Sequence, residues 1–128
     1  MAGFALEPGA GPAYGFHGSA VVIKASGSDT AGQLSVMESA YPAGLSVHGH
    51  IHVDEDEMFY VLAGEISGFC EGSTWTATAG SFVFVPRNHL HGFTVTGQGT
   101  ARALVITGPA QLDSQIIARA ESPPAIPD

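Results

Sequence analysis

Apolar and polar residues alternate along most of this chain in short runs, the period-two signature of half-buried β-strands. Strands are predicted over Ala20–Ala25 (AVVIKA), Gln33–Ser39 (QLSVMES), Leu45–His52, Met58–Leu62 (MFYVL), Glu65–Cys70, Ser73–Thr78, Ser81–Val85 (SFVFV), His91–Thr96 and Arg102–Thr107. Within the second run, Leu34, Val36 and Glu38 share a face. Turn signals separate the runs: Ala63-Gly64, Glu71-Gly72, Ala79-Gly80 and Pro86-Arg87-Asn88. Strands of this length with turns this closely spaced predict an all-β sandwich or barrel. The one helical pattern is Ala110–Ala120, after Gly108-Pro109, with Leu112, Ile116 and Ile117 available to pack on the barrel. The expected organisation is an extended arm over 1–18, rich in Gly, Pro and Ala, a β-barrel over 19–109, and a short helix with a frayed tail over 110–128.

Composition narrows the function classes. The 128 residues suit one domain, and 45% hydrophobic against 12% charged residues is a composition that buries a core. The net charge is −8, and the only cations are Lys24, Arg87, Arg102 and Arg119. No basic patch can form, which argues against nucleic acid and against an anionic membrane surface as partners. The single cysteine, Cys70, excludes an internal disulfide and a thiolate-rich zinc site, and reads as a small strand residue. No stretch approaches the roughly 18 apolar residues that span a bilayer. The N-terminal residues lack a basic start and an apolar run, so a cytoplasmic, reducing location is expected.

The histidines carry the candidate chemistry. Five of the six lie between His48 and His91. Strand alternation predicts that His48, His50 and His52 point to one side, and that His89, His91 and Phe93 share a face. Imidazole is the commonest protein ligand for transition metals. Of the acidic run that follows, Asp54, Glu55 and Asp56 are expected to form a solvated turn. Glu57 adjoins MFYVL, and either projects inward at the start of that strand or closes the charged turn.

The spacing from Gly44 to Gly64 has a family resemblance: Gly44, His50, His52, Glu57 and Gly64 stand at every defined position of the first cupin motif. The stretch GSFVFVPRNHLHGFTV resembles the second motif, with Gly80, Pro86 and His91 in place. DEMFYVLAGE and AGSFVFVPRNHLHGF resemble the quercetin-dioxygenase-like branch of that family. Two positions depart from the pattern: Asn88 replaces a glycine, and Val95 replaces the closing asparagine. Asn tolerates positive φ better than other non-glycine residues, and Val95 lies beyond the ligands.

The resemblance implies a single-domain cupin-type jelly-roll barrel with one divalent transition metal ion (Fe, Mn, Ni, Co or Zn) on His50, His52, Glu57 and His91. Glu57 would double as a catalytic base when off the ion. His48 is an additional ligand that replaces Glu57 in an all-histidine set, a group behind the ligands, or a residue that lines the cavity. The expected cavity is apolar, with Met37, Phe59, Phe82, Phe84 and Phe93 inward and Tyr60 and Trp75 on undecided faces. Few cations argue against phosphorylated or dicarboxylate substrates and favour an apolar aromatic or polyketide-like molecule. The implied activity is that of a dioxygenase. A redox-neutral cyclase, isomerase or lyase, and a binding protein without turnover, are the competing classes. Small cupins are often dimers, and the arm before Ser19 is one candidate contact for a homodimer.

Overall fold

The alternating runs pair into two antiparallel sheets in a computed structural model, which describes residues 3–126. The strands are β1 (Ala13–Phe16), β2 (Ser19–Ala25), β3 (Ser35–Tyr41), β4 (Ser46–His50), β5 (Asp56–Ala63), β6 (Glu65–Cys70), β7 (Ser73–Thr78), β8 (Phe82–Val85), β9 (His91–Val95) and β10 (Ala101–Gly108). A six-stranded sheet runs β1-β2-β3-β10-β5-β8, and a four-stranded sheet runs β4-β9-β6-β7. One helix, α1 (Leu112–Ala118), follows β10. This is the cupin-type β-sandwich that the sequence motifs imply, and no helix among the described residues is long and apolar enough to cross a membrane.

Every core strand sends alternate residues between the sheets. Ser35, Met37, Ser39 and Tyr41 from β3, Phe59 and Val61 from β5, and Ala101, Ala103 and Val105 from β10 are buried. Ile66, Ala77, Phe93 and Val95 meet them from the other sheet. Phe93 sits edge-on to both Tyr41 and Phe59, with ring centroids 5.1 and 5.7 Å away. The Leu34, Val36, Glu38 face of β3 is therefore the outer one.

Three expectations need correction. Residues 13–16 of the arm form β1, paired with β2, and Gly15 also bridges to Glu121. Phe82 and Phe84 point outward, 62% and 51% exposed, while Val83 and Val85 are buried. Register explains this: Glu57 lies opposite Val85 and Phe59 opposite Val83, and opposed residues share a face. Since Glu57 and Phe59 face inward, so must the valines. Tyr60 joins the outward set, whereas Trp75 is half-buried against the core. On α1, Leu112 and Ile116 pack inward as expected, but Ile117 is exposed and Asp113 takes the buried place. Asp113 Oδ2 accepts the Gly27 N–H at 2.7 Å, fastening the helix to the β2–β3 loop.

Two turn positions show why the motif residues stand where they do. Gly64, at φ +79°, turns β5 into β6 with its Cα so close to Ala101 that a Cβ would lie 2.7 Å from the Ala101 Cα. No other residue fits there. Asn88, in the glycine position of the second motif, adopts φ +64°. It also exchanges hydrogen bonds with the loop after β4. Its N–H donates to the His52 carbonyl at 2.9 Å, and its Oδ1 accepts the Asp54 N–H at 3.1 Å. The departure from glycine thus adds a tether. Beside it, Arg87 clasps Asp56 through Nε and a terminal nitrogen, both at 3.1 Å, and that guanidinium holds the Asp56 carboxyl below its ordinary pKa.

Candidate metal centre

The three histidines at one end of the interior are delivered by two neighbouring strands and the loop after one of them. β9 alternates regularly, so His91 and Phe93 both face inward. β4 does not. Val47 lies opposite Phe93 and His50 opposite His91, so β4 uses one residue more than β9 over the same span. That bulge puts Val47 and His50 on the inner side although they are three positions apart. It also removes His48, which is exposed at the cavity rim. The expectation that His48, His50 and His52 share a face is therefore corrected.

Hydrogen bonds fix each ring. The Nδ1–H of His50 donates to the His48 carbonyl at 2.8 Å, and that of His91 to the His89 carbonyl at 2.9 Å. The Nδ1–H of His52 donates to Glu55 Oε1 at 2.9 Å. With Nδ1 protonated in all three neutral rings, each Nε2 carries a lone pair. These lone pairs converge: potential ligand atoms of His50, His52 and His91 lie within 4.8 Å of one another, and the Nε2 atoms of His50 and His52 are 3.1 Å apart. Such an arrangement is repulsive unless something positive lies between. A proton on His52 would relieve one contact. Burial pulls the His52 pKa down, but the Glu55 hydrogen bond and the charges of Glu55 and Glu57 outweigh it and raise the pKa. That proton leaves the buried Nε2 of His91 without a partner. One divalent cation serves all three nitrogens, since ligands about 2.1 Å from a common ion at right angles lie about 3 Å apart. His50, moreover, has its pKa lowered by burial and by the other two imidazoles, which keeps it in the ligating form. The three histidines can hold a metal.

Glu57 stands beside them. It is only 4% exposed, with Oε1 3.4 Å from His91 Nε2 and Oε2 3.9 Å from His52 Nε2. The inward alternative for this residue is the one the fold adopts.

Glu55 is the residue that sequence reasoning missed. Expected in a solvated turn, it is 1% exposed. One oxygen holds His52 Nδ1, and the other accepts the Gln111 and Leu112 N–H groups at 2.8 and 2.7 Å, at the start of α1. Burial raises its pKa, but those bonds and the Thr107 hydroxyl outweigh burial and hold the carboxyl below its usual range. A carboxylate behind a ligating histidine fixes the ring and raises its basicity. Glutamine in its place has one acceptor oxygen and so cannot serve both His52 and the helix. Glu55→Gln is expected to weaken binding of Co²⁺ or Mn²⁺ by roughly 10–100-fold. Competition with a chromophoric chelator measures it, and an affinity within about twofold of the parent chain would refute this role.

A cavity of about 560 Å³ opens from this cluster. Met37, Phe59 and Phe93 line it as expected, whereas Phe82 and Phe84 lie on the outside of the sheet. Tyr41, Leu112 and Ile116 add apolar wall. The exposed His17 also borders the cavity. One cation borders it too: Arg119 follows Gln111 and Gln115 at helical spacing along α1. Arg119 is remote from the motifs in sequence, and the helix register brings it to the cavity.

Comparison with known proteins places the fold in a family. Over 71 residues, 56% of this chain, the sequence is 32% identical to the quercetin 2,3-dioxygenase of Bacillus subtilis (strain 168), of which it spans 21%. The fold resembles the polyketide cyclase RemF from Streptomyces resistomycificus, with a TM-score of 0.71, 22% identity, and coverage of 84% of this chain and 80% of that one. It also resembles an RmlC-like cupin from Shewanella frigidimarina, with a TM-score of 0.70, 19% identity, and coverage of 89% and 96%. The cupin domain profile matches residues 37–107, which include all three converging histidines and Glu57. The chain belongs to the cupin domain family.

Proposed function

We propose that this chain is a metal-dependent enzyme acting on a planar, apolar phenolic or enolic molecule, and that its reaction consumes dioxygen. The observation that carries the reading is the convergence of three Nε2 lone pairs, with a buried carboxylate beside them, at the end of an apolar cavity. The relationship to a quercetin 2,3-dioxygenase over the motif region supports the oxygen-dependent form. His50, His52 and His91 would hold the ion, with Glu57 as the fourth ligand or as the base. A redox-active divalent ion there would supply Lewis acidity and electron exchange with dioxygen.

The chain's own groups do the rest. Glu57 lies where it can take the proton of a substrate hydroxyl, and its burial strengthens that interaction by excluding water. Tyr41 is held protonated, because burial pushes its pKa well up and the Glu57 charge adds to that. Its hydroxyl, hydrogen-bonded with Ser39, is therefore a neutral polar group in the wall. Met37, Phe59 and Phe93 offer flat apolar surface to a ring.

The test is oxygen uptake by protein reconstituted separately with Mn²⁺, Fe²⁺, Co²⁺, Ni²⁺ and Zn²⁺, against a panel of planar phenols. Stoichiometric uptake with a redox-active ion and none with zinc is the expected result. Turnover that continues under anaerobic conditions, or with zinc, would replace the dioxygenase reading by a redox-neutral cyclase, isomerase or lyase. Tight binding without product would leave a binding protein.

A further inference from the structure

The metal centre leaves one charged group at the cavity without a task. Gln111, Gln115 and Arg119 border the cavity at intervals of four residues, so they follow one side of α1 from before its first residue to just past its last. Gln111 stands at the metal end, because its main-chain N–H reaches Glu55, which holds His52. Eight residues on, at 1.5 Å per residue, Arg119 lies roughly 12 Å further along the axis. The chain has twelve acidic side chains and four lysines or arginines, yet Arg119 is exposed and forms no ion pair among the described residues. Its main chain is nevertheless held. Two residues later, Glu121 exchanges both main-chain hydrogen bonds with Gly15 of β1, at 2.8 and 3.0 Å. Gly15 has no room for a side chain there, since a Cβ would run into the Ser122 carbonyl oxygen. The chain after α1 is thus clamped across β1, which keeps Arg119 at the mouth.

We propose that Arg119 receives a carboxylate of the substrate, which is therefore a planar phenol bearing one acid group at the end remote from its metal-facing hydroxyl. This rests on the reading of the metal centre as a site for a phenolic hydroxyl, and assigns the other end of the molecule.

Charge sets the direction. At the inner end the buried carboxylates of Glu55 and Glu57 offset the charge of a divalent ion, so little net attraction for a further acid remains there. At the mouth, Arg119 is the only lysine or arginine among the described residues that line the cavity. Its planar fork matches a carboxylate with two parallel hydrogen bonds. Gln115, one turn nearer the metal, adds an uncharged amide donor. A phosphate ester fits less well: it brings a second negative charge to a wall with no second cation, and the first amides of α1 are already taken by Glu55. Length agrees too. Two fused aromatic rings substituted at opposite ends span most of the distance from the metal end to Arg119, once the reach of its side chain is counted.

Isothermal titration calorimetry on the zinc-loaded full chain tests this with 6-hydroxy-2-naphthoate and its methyl ester. The acid should bind roughly tenfold more tightly than the ester, the low end for a charge-assisted contact because the guanidinium is exposed. Arg119→Met should bring that ratio down to about one, and Arg119→Lys should keep part of it. Lys24→Met removes the same charge away from this cavity, where Lys24 Nζ donates to the Ala10 carbonyl, and should leave the ratio at its parent value. Circular dichroism melting establishes that each variant is folded. Should the methionine variant fail to fold, the parent chain decides: the ratio should fall as salt is added. A ratio near one in the parent chain, one that survives Arg119→Met or ignores salt, or one lost equally in Lys24→Met overturns the proposal and leaves a phenol site at the metal standing. Binding of neither naphthol overturns both. Oxygen uptake is read separately, so an acid preference that depends on Arg119 without oxygen consumption upholds this assignment and removes only the dioxygenase reading.

Discussion

His52→Ala is expected to lower the metal content of the purified chain from about one ion per molecule to about a tenth of that or less. The expectation follows from the position of its Nε2, 3.1 Å from that of His50 and 3.9 Å from Glu57 Oε2. Without it the remaining nitrogens no longer surround a common point, and Glu55 loses the ring it orients. Elemental analysis measures the content directly. His48→Ala is the matched control, because the His48 side chain is exposed and only its main-chain carbonyl touches His50. A second readout comes from stability. A ligand at 1,000 times its dissociation constant stabilises the folded state by about 4 kcal/mol. Added Co²⁺ should therefore raise the melting temperature of the parent chain and of His48→Ala, but not that of His52→Ala. Retention of metal by His52→Ala, or its loss from His48→Ala, would falsify the ligand assignment.

Phe93→Ala should cost about 3–5 kcal/mol of folding stability, against a total of about 5–15 kcal/mol for a domain of this size. Phe93 is 8% exposed and lies edge-on between Tyr41 of one strand and Phe59 of another, so truncation removes apolar burial and two aromatic contacts together. It comes from the four-stranded sheet while both partners come from the six-stranded one, and the cavity it would leave lies between the layers. Ile117→Ala is the comparison: that side chain is 48% exposed and should change stability by about 0.5 kcal/mol or less. Urea titration of both variants measures the difference. Equal midpoints would show that the interior does not hinge on this aromatic trio.

Much of this architecture was legible in the sequence because strands have a fixed period. The strand runs, the motif turns and the spacing of His50, His52 and His91 needed only alternation and the family pattern. What escaped was whatever depended on register or on distant partners. SFVFV is apolar on both of its faces, so periodicity could not say which pair turns inward; the pairing of Val85 with Glu57 decides it. One extra residue in β4 defeats the parity argument for His48, and Gly49, inside the shifted span, is the one sequence signal of that bulge. Glu55 looked like one more solvated acid because two of its partners, the Gln111 and Leu112 N–H groups, lie 56 and 57 residues away. The same distance hid Arg119, whose place at the cavity is set by how α1 docks rather than by anything near the motifs.

The division of one carboxylate between His52 and the first amides of α1 has a consequence for ligand entry. Gln111, Gln115 and Arg119 of this helical segment stand along the mouth of the cavity. An excursion that swung them aside would withdraw Glu55 from its amides and loosen the imidazole it steadies. Opening and ion retention would then be linked, and linkage is reciprocal: an ion that ordered His52 would also damp such an excursion.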